Sequence, residues 1–178
     1  MSLQPQFQNH QIGRENLPKV RSIQFVKLSS NYFWSKLITS IIFYCILFLA
    51  VTIPTTVMQN EMPDWSINLI YSILIVYILF GFLRVYKTYQ KKAYALRQHD
   101  IVYKSGWIWK RLTSIPFNRI QHCELNSGPI DRAFDLTQLN IFTAGGSNSD
   151  LTIPGLTTIE GRQLKGYILK RINKDEEE

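Results

Sequence analysis

The residue types able to do chemistry in this chain are few and scattered. His10, His99 and His122 have no cysteine or carboxylate at ligand spacing, which disfavours a metal site. Cys45 falls in an apolar run and Cys123 in the later polar half, so no pair is placed to staple a secreted scaffold, and a reducing compartment fits. No serine elbow, paired-acid motif or activated-cysteine arrangement occurs. Gly145-Gly146-Ser147-Asn148-Ser149 has the composition of a phosphate cradle, but no Gly-Lys-Ser/Thr follows and no helix begins at once, so it reads as a hairpin loop. These patterns assign no catalytic, cofactor-binding or metal-ligating residue, and an enzyme is not expected.

Binding chemistry is better represented. Lys104, Trp107, Trp109, Lys110, Arg111 and Arg119 form a candidate lipid-contact set, joined by Arg97 as a further base. A suitably placed base near an anionic bilayer contributes ~1 kcal/mol, and indoles favour the membrane interface. The plainer reading is ordinary strand-surface charge with both tryptophans in the core, and it is preferred because scattered exposed charges are common. Arg97-Gln98-His99-Asp100 is short and mixed in charge, unlike a loop on which several bases converge. A net charge of +7 raises the question of nucleic acid. Most bases flank apolar runs or are diluted by acids after Leu83, so no continuous stripe for a phosphate backbone emerges.

The elements that must carry these residues begin with two silent stretches. From Leu37 to Asn60, and again from Trp65 to Leu83, no charged residue occurs. Runs of about 20 apolar residues rise ~30 Å as helices, which is the thickness of a bilayer core, so spans are expected at about 37–58 and 65–84. Only Glu61 to Asp64 connect them, which requires an antiparallel hairpin over 31–92. Pro54 is expected to kink or end the first helix, with Thr55 and Thr56 bonding freed carbonyls. Lys19, Arg21, Lys27 and Lys36 precede the first run, Arg84, Lys87, Lys91 and Lys92 follow the second, and none lies between. That asymmetry predicts a multi-pass protein of the plasma membrane with both termini cytoplasmic. Trp34, Lys36, Trp65, Arg84, Tyr86 and Lys87 are the expected interface anchors. No ionisable residue lies inside either run, so a proton relay or ion path has no support. Residues 1–30 read as a cytoplasmic tail without a cleavable signal, poorly ordered from Met1 to about Leu17.

After Lys92 the period changes to two. Strands are expected at Ala93–Gln98, Ile101–Ser105, Trp107–Ile115, Arg119–Asn126, Leu139–Thr143 and Leu151–Pro154, forming one curved antiparallel sheet. Thr157 and Glu160 have capping-box spacing. Leu164, Ile168 and Ile172, with Tyr167 and Leu169, then recur at helical spacing, so an amphipathic helix should close a domain over 93–173, ahead of an acidic tail at 174–178.

Five blocks carry a family likeness: Trp107-Ile108-Trp109-Lys110-Arg111, Ile115-Pro116-Phe117-Asn118-Arg119-Ile120-Gln121, Gly128-Pro129-Ile130-Asp131-Arg132-Ala133-Phe134-Asp135-Leu136, Leu139-Asn140-Ile141-Phe142-Thr143-Ala144-Gly145-Gly146 and Ile153-Pro154-Gly155-Leu156. In their order and spacing, and in the two helices before them, the chain resembles the YdbS-like bacterial pleckstrin-homology (PH) family of membrane proteins over roughly Ser30 to Asn173. Asp135 stands where the family pattern has Gly, a departure that a left-handed turn tolerates. The resemblance implies an α+β membrane protein in which a two-helix transmembrane hairpin precedes a PH-like split β-barrel or sandwich with a C-terminal capping helix. It implies no enzymatic activity, substrate or cofactor. The function expected is a membrane-anchored scaffold or self-assembling interaction module at the cytoplasmic face. Its expected partners are the bilayer and a second copy or another membrane protein, with no nucleic acid. The alternatives are an anionic-lipid-binding or lipid-handling module and an accessory subunit of a membrane enzyme or transporter.

Overall fold

A computed structural model of the protein describes residues 23–58, 62–144 and 149–177. The expected disorder of Met1–Leu17 and most of the Gly145–Ser149 turn lie outside the described residues. Two 28-residue helices dominate the first half, α1 (Ser30–Val57) and α2 (Asp64–Lys91). The Ser29 side chain caps α1 by accepting from the Asn31 amide at 3.3 Å. Pro54 does not end α1, which runs on to Val57 and closes with the Met58 amide donating to the Pro54 carbonyl. Thr55 and Thr56 hydroxyls donate to the carbonyls of Val51, Thr52 and Ile53, the three that follow the Ala50 carbonyl left without its helical donor by Pro54.

Aromatic and hydroxyl contacts define the seam between the helices. Thr55 meets the Tyr71 hydroxyl at 2.9 Å, Tyr44 packs edge-on against Tyr77 and Phe82, and Phe33 does so against Tyr86. As the position on α1 falls, its partner on α2 rises, so the pair is antiparallel. Gly81 lets the seam close, because a Cβ there would lie 1.5 Å from the Tyr44 hydroxyl oxygen. Both helices are long and apolar enough to cross a membrane, with peak mean hydropathies of 2.4 and 2.2. Their outer faces expose large apolar side chains throughout, among them Ile46 at 63% and Val76 at 66%.

The described residues of the second half contain six strands: β2 (Ala93–Leu96), β3 (Asp100–Ser105), β4 (Arg111–Pro116), β5 (Ile120–Asn126), β6 (Leu136–Thr143) and β7 (Leu151–Thr157). A two-residue strand, β1 (Val26–Lys27), precedes α1 and pairs with β2. The part of the tail before α1 therefore folds onto the domain, and Leu28 is buried in its core. The strands do not form one curved sheet as expected. They divide into an antiparallel β1-β2-β3-β4 sheet and an antiparallel β5-β6-β7 sheet. The division falls at Pro116 and the 3-10 turn Phe117–Arg119, where Pro116 cannot donate to a ladder and Phe117 is buried between the layers. The result is the split sandwich that the family resemblance implied.

Core residues come from both layers: Ile101 and Ile115 from the first, Leu139, Ile141 and Ile153 from the second. The helix α4 (Thr158–Glu177) covers the opening between them, burying Leu164 and Ile168 while Tyr167 and Ile172 pack alongside. Its start is the expected capping box: the Glu160 amide donates to Thr157 Oγ1 at 3.2 Å, and the Thr157 amide donates to Glu160 Oε2 at 3.0 Å. The helix continues to Glu177, so the acidic segment extends it instead of leaving it. A five-residue helix, α3 (Pro129–Ala133), went unanticipated between β5 and β6. It exits through Asp135 at φ 52°, the left-handed turn that replaces the family's glycine.

Candidate functional site

The base of the helix pair is locked to the sandwich. Ser35 is fully buried and donates to Asp131 Oδ1 at 2.5 Å, and Asn31 donates to the Phe134 carbonyl at 3.3 Å, so α1 grips the α3 segment. Gly155, at φ 68° in β7, accepts from the Ser29 amide at 3.0 Å and leaves room for the buried Tyr32 ring. Lys92, just past α2, donates to the Tyr32 hydroxyl at 2.8 Å. Burial, reinforced by Asp131, pushes the Tyr32 phenol up to about 12. Burial, reinforced by Lys36, lowers the Lys92 ammonium from its ordinary value. These contacts come from α1 and the residues just before α1 and just past α2, and they reach α3 and β7, so the sandwich does not swing on a loose tether.

That fixed seat sets the β3–β4 hairpin beside α2. Ser105 pairs with Arg111, leaving Gly106 to Lys110 as the turn. Trp107–Lys110 was expected to be strand. Gly106 instead adopts φ 95°, and a Cβ there would lie 1.7 Å from the Trp109 carbonyl oxygen, so only glycine lets the chain reverse this tightly. Trp107 packs on Phe80 of α2 with ring centroids 6.4 Å apart. Ile108 and Trp109 project outward, exposed to 67% and 88%. The reading that puts both tryptophans in the core is thereby overturned: a hairpin tip has no second layer to bury them.

The candidate contact residues do not all converge. Trp107, Trp109, Lys110 and Arg111 share the tip. Lys104 lies on the outer face of β3 with its ammonium 5.8 Å from the Phe25 ring centroid. Arg119 follows the far end of β4, ~17 Å from the tip at the usual rise per strand residue. Arg97 is engaged by Asp100 across the β2–β3 turn, and this hydrogen bond holds the Asp100 carboxyl below its ordinary range despite partial burial. Ser114 adds a second donor to the same carboxylate at 2.6 Å.

The expected anchors separate by height along the helix pair. Trp65 lies in the first turn of α2, beside the helix connection, whereas Trp34, Lys36, Arg84, Tyr86 and Lys87 lie at the sandwich end. Lys36 and Arg84 also line a common cavity with Lys92, which interface patterning alone did not indicate. Lys36 stands 3.8 Å from Asp131. Of the other reactive types, Cys123 is buried and its thiol pushed up to about 11, chiefly by desolvation, His122 stacks on Phe142 at 4.2 Å, and Cys45 is exposed on α1. Among the described residues, no group of three or more His, Cys, Asp or Glu could hold a metal ion.

A two-layer antiparallel sandwich closed by a C-terminal helix, preceded by a long apolar helix pair, defines a PH-like α+β protein. The chain belongs to the bacterial PH domain family, whose model matches residues 42–172 and so takes in most of the helix pair together with the sandwich. The match is to the family at large, and the finer likeness to the YdbS-like branch rests on the five sequence blocks alone. Comparison with curated proteins and with solved structures finds no match for either. Membership of this family describes an interaction or lipid-binding module.

Proposed function

We propose that this is a non-enzymatic, membrane-anchored PH-like module whose β3–β4 tip engages the cytoplasmic bilayer surface. The single observation carrying this reading is the packing of Trp107 on Phe80, a residue inside the second apolar run, with Trp109 and Ile108 exposed beside it. If α2 lies in lipid, so does the neighbouring tip, and Lys110 and Arg111 meet the headgroups just above it. Exposed apolar faces on both helices support the anchor, because in water such faces would associate. The Lys and Arg distribution supports a multi-pass hairpin with both termini in the cytoplasm.

The test uses the full chain with Trp34, Trp65 and Trp107 replaced by Phe, reconstituted in nanodiscs with brominated acyl chains. Trp109 emission should be blue-shifted and quenched. Emission at the wavelength of a water-exposed indole, untouched by bromine, would overturn the reading.

A second reading, assembly with another copy or another membrane protein, is favoured by a groove on the sandwich where Val26, Leu96, Tyr94, Leu164 and Tyr167 meet. Confinement to one membrane surface raises effective concentration, so a weak contact there suffices. Cross-linking in native membranes that returns monomer alone would exclude it.

A further inference from the structure

Between the helices, on their sandwich side, lies a cavity of about 430 Å³ lined by Lys36, Arg84 and Lys92 together with Thr39, Ser40 and Thr88. Its cations come from three separate places: the first turns of α1, the last turns of α2 and the residue just beyond α2. Among the described residues, the one carboxylate in ion-pair reach of them is Asp131, 3.8 Å from Lys36, which leaves the cluster with excess positive charge. The lowered Lys92 pKa reflects burial first, with Lys36 as a lesser, like-charged cause. Two of the hydroxyls are committed as donors, Thr39 to the Ser35 carbonyl and Ser40 to the Lys36 carbonyl, both at 2.8 Å. Their oxygens are therefore acceptors toward the cavity, which suits a ligand that carries hydroxyl donors as well as negative charge.

The cavity is not isolated. Tyr77 lines it and also lines an apolar groove of about 300 Å³ formed with Val51, Ile70, Ile73 and Leu74, farther along the same helix pair. Lys36 and Val51 are separated by ~22 Å at 1.5 Å per helical residue, about the reach of one acyl chain. A basic pocket and an apolar groove that share Tyr77 as a wall match an amphiphile better than a free anion.

We propose that this cavity is a binding site for one anionic phospholipid, whose phosphate meets Arg84, Lys92 and Lys36 while an acyl chain follows the groove past Tyr77. This site is separate from the β3–β4 tip, and it rests on the reading that the helix pair lies in a bilayer. Such a lipid neutralises the cations at the junction of hairpin and sandwich and so ties the seat of the sandwich to membrane charge.

The experiment uses the full chain in phosphatidylcholine nanodiscs containing a minor fraction of phosphatidylglycerol, released for native mass spectrometry. The parent should retain one phosphatidylglycerol. Arg84→Gln with Lys92→Gln should lower that retention about a hundredfold, about tenfold for each of the two charged hydrogen-bond donors to phosphate that are lost. Lys91→Gln removes one positive charge beside Lys92 but outside the cavity, and should retain the lipid as the parent does. Equal retention by the double variant and by Lys91→Gln would overturn the site. Inorganic phosphate or glycerol phosphate in millimolar excess should leave retention unchanged, and displacement by either would assign the pocket to a free anion instead. Flotation of the parent with liposomes separates the two readings: a parent that floats without retaining phosphatidylglycerol refutes the site alone, and one that does not float refutes the anchor.

Discussion

Gly155→Ala tests whether the helix pair is locked to the sandwich. Gly155 has φ 68°, and a Cβ there would lie 2.4 Å from Tyr32 Cγ and 2.7 Å from Tyr32 Cβ. Holding an L side chain in the left-handed region costs ~1–2 kcal/mol. Displacing the buried Tyr32 ring adds ~1–3 kcal/mol of overpacking. Loss of glycine's freedom in the unfolded chain returns ~0.4–1 kcal/mol. A net destabilisation of ~3 kcal/mol lowers the Tm of a domain of 60–100 residues by ~12–24 °C. Thermal unfolding of the full chain in nanodiscs, followed by near-UV circular dichroism, reads that shift. Gly166→Ala is the internal control: nothing lies within 4 Å of the new methyl on α4, so removing helix-interior glycine should stabilise by ~0.5–1 kcal/mol. A Gly155→Ala protein melting within ~2 °C of the parent, or beside Gly166→Ala, would refute the packing on which the fixed seat depends.

Four further outcomes are expected. Thr157→Ala removes the acceptor for the Glu160 amide and should cost about 1 kcal/mol, read in the same melts; no loss would mean that α4 does not rely on this cap. Asp100 has a folded-state pKa held below its unfolded value by Arg97, so its contribution is present above the unfolded pKa near ~4 and is lost as pH falls through the folded value. The stability gap between parent and Asp100→Asn should therefore close on acidification, and a gap constant down to the most acid melt would contradict the assignment. Cys123, with its thiol raised to about 11 by burial, should resist a water-soluble maleimide in a Cys45→Ser background until the protein unfolds; rapid native labelling would sink that reading. A reporter fused after Glu178 should be active only in the cytoplasm, and periplasmic activity would reverse the proposed topology.

The local periods were legible in the chain. Two runs without charge specify long apolar helices, the short link between them requires that they return antiparallel, and alternation after Lys92 specifies strands. The Thr157–Glu160 cap was readable because its two hydrogen bonds span only three residues. Strand limits were less readable: Trp107–Lys110 has strand-like composition, yet Gly106 turns the backbone, and the effect of one positive φ is not visible in hydropathy. The break into two sheets at Phe117 likewise depends on where a single aromatic ring is buried.

Sequence by itself determined the two long helices, the main strands and the closing helix, because periodicity and capping are properties of neighbouring residues, and five short blocks carried the family likeness. Only the tertiary structure decided the sites, because their members are distant in the chain. Ser35 and Asp131 are 96 positions apart, and Tyr32 and Lys92 are 60 apart. Trp107 reaches Phe80 only because the helix base is seated on the sandwich, and Lys36, Arg84 and Lys92 face one cavity only because Gly81 lets the helices close at Tyr44. Such meetings depend on the packing of whole elements against one another, which no local pattern of residues encodes.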